Sequence, residues 1–179
     1  MKCYTLHMYI KKVWFQKIWA MPINSRTKGA SYERGVVKIL NQFFLKNNFN
    51  FICKRNLDQY QTKNLSDINI PFHAIECKHY KEGNWLKPEW WRQVCSSAEA
   101  ESTIPVLIFK FNRVPTRVAI PLHAINPGWE VDNQKIAIMS LDDWLDVIKS
   151  NWNIYKQKQE DGWHWRFKHT KHTKHTKQS

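Results

Sequence analysis

From residue 26 to 47 the apolar side chains Tyr32, Val36, Val37, Leu40, Phe43 and Phe44 recur at the spacing that lines them up along one stripe of an α-helix. This predicts a first helix, with Ser25 placed to cap it. Residues 50–55 (NFICKR) alternate roughly between apolar and polar and predict a strand, whereas 56–66 (NLDQYQTKNLS) are polar and rich in turn formers, as in a loop. Residues 72–79 are the most strand-like run in the chain, and Glu82-Gly83-Asn84 ends it in a turn. Pro88 suits the first position of a second helix through Glu101, with Trp90, Val94 and Ala98 on one side and Trp91, Arg92 and Gln93 flanking it.

Residues 104–111 (IPVLIFKF) are apolar almost without a break, as in a central strand covered on both faces. Across a turn at 112–115, residues 116–121 (TRVAIP) predict its neighbour, and 134–139 an edge strand. Ser140-Leu141-Asp142-Asp143 has the form of a helix start, and Leu141, Trp144, Leu145 and Ile148 give that helix an apolar face. Helices alternating with strands argue for an α/β sandwich and against an all-β barrel. From Asn151 the pattern dissolves, and 169–177 are three identical copies of His-Thr-Lys, a tract that cannot bury a core and predicts disorder from 168.

The folded domain is therefore expected at 24–150, between an extension at 1–23 and a basic tail at 151–179. Lys11, Lys12 and Lys17 interrupt the apolar residues of the opening segment, which reads as neither membrane span nor signal sequence. The domain pattern begins just after Met21, and residues 1–20 read as an extension upstream of a natural start there. With 179 residues, 42% hydrophobic and ten Trp, the chain suits one domain with its own core. Its 28 Lys and Arg against 15 Asp and Glu leave a net charge of +13, which favours a polyanionic partner, either nucleic acid or an anionic membrane surface. Cys3, Cys53, Cys77 and Cys95 are scattered without a CxxC pair, a pattern of free thiols in a reducing cytoplasm and not of a zinc site or disulfide framework.

On a strand through 72–79, Glu76 and Lys78 share one face and Ile75 and Cys77 the other. Asp67 precedes the run beyond Pro71, where a short strand or turn would return it to the same spot. Two carboxylates and an ammonium would then converge, a group able to hold a hard divalent cation against a phosphate and to offset charge as a phosphodiester bond breaks. Each also has a plainer use: Glu76 and Lys78 as an ion pair on an exposed strand, Asp67 as a turn residue after Ser66. Glu33 lies in line with Val37, Leu40 and Phe44, either as a flank carboxylate in water or as an outer member of the site. Cys77 reads as a small buried apolar residue, and His73 and His79, opposite Glu76, as packing or hydrogen-bonding groups. Candidate phosphate contacts are Arg26, Lys28, Arg34, Lys54, Arg55, Lys63, Lys81 and Arg92, a footprint whose affinity would fall with salt. The Trp90-Trp91 pair offers one ring to an unpaired base or to the sheet.

Glu33 on a helix, Asp67, Glu76-Cys77-Lys78 on a strand and Gln93 on the following helix resemble, in that order, the PD-(D/E)XK nuclease superfamily. Residues 24–30 (NSRTKGA), 55–59 (RNLDQ) and 90–93 (WWRQ) further resemble its small phage-type enzymes described as Holliday-junction-resolvase-like, over roughly residues 24–121. Ser66 departs from the pattern, in which proline usually precedes the aspartate. The resemblance implies a restriction-endonuclease-like α/β core, a central mixed sheet flanked by helices. It implies that Asp67, Glu76 and the backbone carbonyl of Cys77 ligate Mg²⁺ or Mn²⁺, and that Lys78 positions the attacking water and offsets charge. Glu33 would bind a metal-held water or a second metal, and Gln93 would steady the site. The implied protein is a metal-dependent endonuclease in the cytoplasm, the host's if phage-encoded. It would cut DNA, branched DNA in particular, during recombination, repair or phage genome processing. Junction cutting would imply a symmetric homodimer. Against this stand a non-catalytic nucleic-acid-binding module on the same fold and a basic RNA-binding protein, which cleavage assays in Mg²⁺ with an Asp67→Asn control separate from it.

Overall fold

The computed structural model describes residues 25–57 and 65–161, with side chains from Thr27 onward. Helix α1 (Ser25–Lys46) buries Val36, Leu40 and Phe44, one per turn along the predicted stripe. Ser25, expected as the cap, is itself the first helical residue. After the helix, the Asn41 side chain accepts from the Cys53 N–H at 2.7 Å and donates to the Cys53 carbonyl at 3.0 Å. That pair ties the incoming backbone to α1 and not to the sheet, so the strand expected over 50–55 shrinks to β1 (Lys54–Arg55).

Strand β2 (Ile68–Ile70) and strand β3 (His73–Tyr80) form a tight hairpin, whose Phe72 takes a left-handed φ of 73°. The turn after β3 brings Gly83 against Phe111: an added Cβ would stand 2.2 Å from the ring, and φ is +137°, so only glycine fits. Helix α2 (Pro88–Glu101) starts on its proline and stops at Ser102, which takes a left-handed φ of 53°. It crosses over to β4 (Ile104–Phe111), which lies parallel to β3. Strand β5 (Arg117–Pro121), one turn of helix α3 (Leu122–Ile125), edge strand β6 (Ile136–Ser140) and helix α4 (Leu141–Glu160) complete the chain. The Ser140 hydroxyl accepts from the Asp143 N–H at 3.1 Å, the predicted cap of α4.

Among the described residues six strands stand in sequence order in one sheet, and every neighbouring pair except β3 and β4 is antiparallel. This is the mixed α/β sheet flanked by helices that was expected. One face packs Ile75, Val106, Ile108 and Val118 against Leu40 and Phe44 of α1 and Trp144, Ile148 and Tyr155 of α4. The other packs Leu107, Phe109 and Phe111 beneath Trp90 and Val94 of α2. Each such buried side chain contributes about 1.5–3 kcal/mol.

Helix α4 corrects the expectation that the pattern ends near 151. Asn151 and Tyr155, 8% and 0% exposed, are buried although polar in type. The Asn151 amide donates to the Ala124 and Ile125 carbonyls at 3.1 and 2.8 Å, and the Tyr155 hydroxyl also donates to Ala124. The candidate start at Met21 and the His-Thr-Lys copies lie outside the described residues. Among the described residues no helix is long and apolar enough to cross a membrane.

Candidate active site

The hairpin of β2 and β3 sets Ile68 opposite Ile75. One step further in that register puts Asp67 across from Glu76, and residues directly opposite in an antiparallel pair project from the same face. Ile68 and Ile75 belong to the core under α1 and α4, so Glu76 faces α2, where Gln93 meets it, and the Asp67 carboxylate lies close enough to act on it. Both are buried, at 7% and 2% exposure. The Asp67 carbonyl accepts from the Asn56 N–H at 2.8 Å, and Asp67 Oδ2 accepts from the Cys77 N–H at 2.7 Å. The Cys77 side chain points into the opposite core, as expected of a small apolar residue.

Glu76, Lys78 and Gln93 close a triangle. Lys78 Nζ and Gln93 Nε2 each donate to Glu76 Oε1 at 2.7 Å, and Lys78 Nζ also donates to Gln93 Oε1 at 2.9 Å. The second carboxylate oxygen, Glu76 Oε2, is buried with no hydrogen-bond partner among the described residues. An arrangement of this kind is costly in a native interior and calls for an explanation. Burial first, then the Asp67 carboxylate and more weakly Glu33, pushes the Glu76 carboxyl up to about 7 against the pull of Lys78.

Glu33 comes near the pair from α1 and is itself buried, at 8% exposure. Its Oε2 accepts from Arg55 Nε at 2.7 Å, with Arg55 Nη2 at 2.5 Å, a charge-assisted fork between α1 and β1. Thus Glu33, read as an outer site member, and Arg55, read as a phosphate contact, hold each other. Of the other cations, Lys28 donates to Asn112 Oδ1 at 2.9 Å, and Arg34, Lys54, Lys81 and Arg92 are exposed. The Arg26 side chain and Lys63 lie outside the described residues. His73 packs between Trp144 and Tyr155, and His79 against Tyr32. Trp90 is 4% exposed and stacks on Tyr80, while Trp91 is half-buried with its indole N–H on the Asn133 carbonyl at 2.8 Å. Sequence reasoning missed Glu101, which grips the residues on either side of Asp67 and Ile68; its spacing of eight from Gln93, on one face of α2, was the available signal.

A hard divalent cation fits this donor set. The side-chain donors are carboxylate oxygens, and Glu76 Oε2 is an acceptor that the described residues leave unserved. Mg²⁺ and Mn²⁺ are held by one or two carboxylates, with water and phosphate oxygens completing the shell. Among the described residues no group of three or more His, Cys, Asp and Glu side chains is assembled into a protein-only cage.

The search of the curated proteins gave no match. Among solved structures, the chain is similar to Archaeoglobus fulgidus Hjc, a Holliday junction resolvase from an archaeal hyperthermophile. The two are 19% identical with a TM-score of 0.38, over 63% of this chain and 86% of that one. A family model described as "Phage putative PDDEXK endonuclease" matches residues 24–158, a span that takes in Glu33, Asp67, Glu76, Lys78 and Gln93 and ends within the last turns of α4. The chain belongs to that phage PDDEXK endonuclease family.

Proposed function

We propose that the protein is a metal-dependent endodeoxyribonuclease acting on branched DNA, with Asp67, Glu76 and Lys78 as its catalytic set. The observation that carries this reading is the buried Glu76 Oε2, which has no partner among the described residues and lies near the Asp67 carboxylate and next to the Lys78 ammonium. Buried polar atoms of native interiors are mostly hydrogen-bonded, so an unserved carboxylate oxygen beside a second carboxylate supports a ligand there. Asp67, Glu76 and the Cys77 carbonyl would hold Mg²⁺ or Mn²⁺, which supplies Lewis-acid polarisation of the phosphoryl oxygen and lowers the pKa of a bound water.

The chain's own residues do the rest. An ammonium has three protons, and Glu76 and Gln93 engage two of those on Lys78. The third orients the attacking water, or meets a phosphoryl oxygen as charge gathers there. Gln93 keeps that ammonium beside Glu76 by bonding to both. Arg55, oriented by Glu33, would offer a further guanidinium to the DNA backbone. Exposed Arg34, Lys54, Lys81 and Arg92, with Lys28, serve as phosphate contacts. The choice of branched DNA is supported by the resemblance of residues 24–30, 55–59 and 90–93 to resolvase-like enzymes, and a homodimer would bring two such sites to opposing strands.

The test is incubation of purified protein with a synthetic four-way junction and with matched linear duplex, in Mg²⁺ and in chelator. Junction cutting that needs Mg²⁺ and disappears in Asp67→Asn and Lys78→Ala is the expected result. Undiminished cutting by either variant would remove the site assignment, and equal cutting of linear duplex would remove the preference for branches.

A further inference from the structure

One face of α2 reaches both halves of the carboxylate pair. Gln93, Ser97 and Glu101 follow one another at steps of four, and the Ser97 hydroxyl ties back to the Gln93 carbonyl at 3.3 Å. Gln93 grips Glu76 and Lys78 at one end. About 12 Å along the axis, eight residues on, Glu101 closes the helix against the segment that carries Asp67. Its carboxylate accepts three bonds: from the Ser66 N–H at 2.8 Å, from the Ser66 hydroxyl at 3.2 Å and from the Asn69 amide at 2.6 Å. Ser66 is fully buried and directly precedes Asp67. β2 has only three residues, and its outer neighbour β1 only two, so the ladder alone gives this edge little rigidity.

We infer that Glu101 is a positioning residue: through α2 it sets where Asp67 stands relative to Glu76, and thereby the affinity for the divalent cation, without touching the ion. The inference rests on the reading of Asp67 and Glu76 as ligands. It also gives Ser66 a purpose. Where the superfamily pattern usually has proline, which has neither N–H nor hydroxyl, this chain has a serine that supplies two of the three donors to Glu101. An ordinary helix-end contact would affect melting alone, whereas a positioning contact must affect the ion.

The experiment is calorimetric titration of the DNA-free protein with Mn²⁺, with circular dichroism and melting measured in parallel. Glu101→Ala is expected to weaken Mn²⁺ binding by about tenfold or more, as other residues that orient metal ligands do. Glu101→Gln, which keeps an acceptor for the Ser66 N–H but replaces the oxygen that accepts from the Ser66 hydroxyl and the Asn69 amide, is expected to weaken it by up to about tenfold, the scale of two lost hydrogen bonds. Ser66→Ala, which removes only the hydroxyl, is expected to weaken it by about threefold and decides the matter together with Glu101→Gln should Glu101→Ala not fold. Wild-type Mn²⁺ affinity in all folded variants, with Asp67→Asn unable to bind, would overturn the role of Glu101 and leave the ligand assignment standing. Wild-type affinity in Asp67→Asn would overturn both.

Discussion

Strand β3 buries His73 against one face of the sheet and Glu76 against the other, and the two are treated differently. His73 lies among rings, with Trp144 and Tyr155 at 6.2 and 5.3 Å, and its Nδ1 is 3.0 Å from the Pro71 carbonyl. Burial drives its pKa down to about 4, so at neutral pH it rests uncharged with that nitrogen served. Glu76, three residues along, is held up to about 7 by burial and by Asp67 and keeps one oxygen that no group among the described residues bonds. The first is a polar group absorbed into a core. The second is a deficit that a bound ion would remove, so the same degree of burial builds stability on one face and binding potential on the other.

Four measurements would break or sharpen that contrast. The largest effect is expected on the α2 face, where Asp67→Asn or Lys78→Ala should cut the initial rate of Mg²⁺-supported cleavage at least about a thousandfold, or about 4 kcal/mol of barrier. Melting should move by only a few degrees in either variant. On the opposite face, Ile75→Ala should cost about 3–4 kcal/mol in denaturant unfolding while cleavage per folded molecule is kept. Loss of activity without loss of stability there would erase the distinction between the faces.

The remaining two concern pH. Because the folded state holds the Glu76 proton more tightly than the unfolded chain, its stabilising contribution is complete below 4.5 and drains away as pH rises toward about 7. At about 1.4 kcal/mol per pH unit this amounts to about 3 kcal/mol. Metal-free Glu76→Gln should therefore unfold at higher denaturant than wild type at pH 8, with the gain shrinking near pH 5. His73 has the opposite slope: its contribution is present above 6.5 and is lost as pH falls toward about 4. By pH 5 the loss should reach about 2 kcal/mol, and His73→Phe should flatten it. His123, also held down to about 4 by burial, adds to the same acid side and should leave a residual slope in that variant.

Alternation placed Glu76 and Lys78 on one face and helical spacing gave α1 and α2, whereas Gln93 came only from the resemblance to the nuclease superfamily; the triangle it closes with them is a geometric fact of the fold. The parts that escaped depend on partners distant in sequence. Nothing local says that Asn41 will claim the Cys53 backbone, nor that Glu33 and Arg55, 22 positions apart, will pair. Asn151 and Tyr155 looked like a polar ending because their hydrogen-bonding groups are satisfied by α3 carbonyls that no periodicity reveals.

The reach of α4 to Glu160 sets a rule for anyone trimming this gene. A stop codon after position 150 would look harmless by hydropathy, yet it would strip the donors from the Ala124 and Ile125 carbonyls and take away the Tyr155 ring that walls in His73. Water would reach the imidazole, its pKa would climb back toward 6.5, and the shortened product would tolerate acid differently besides being weaker.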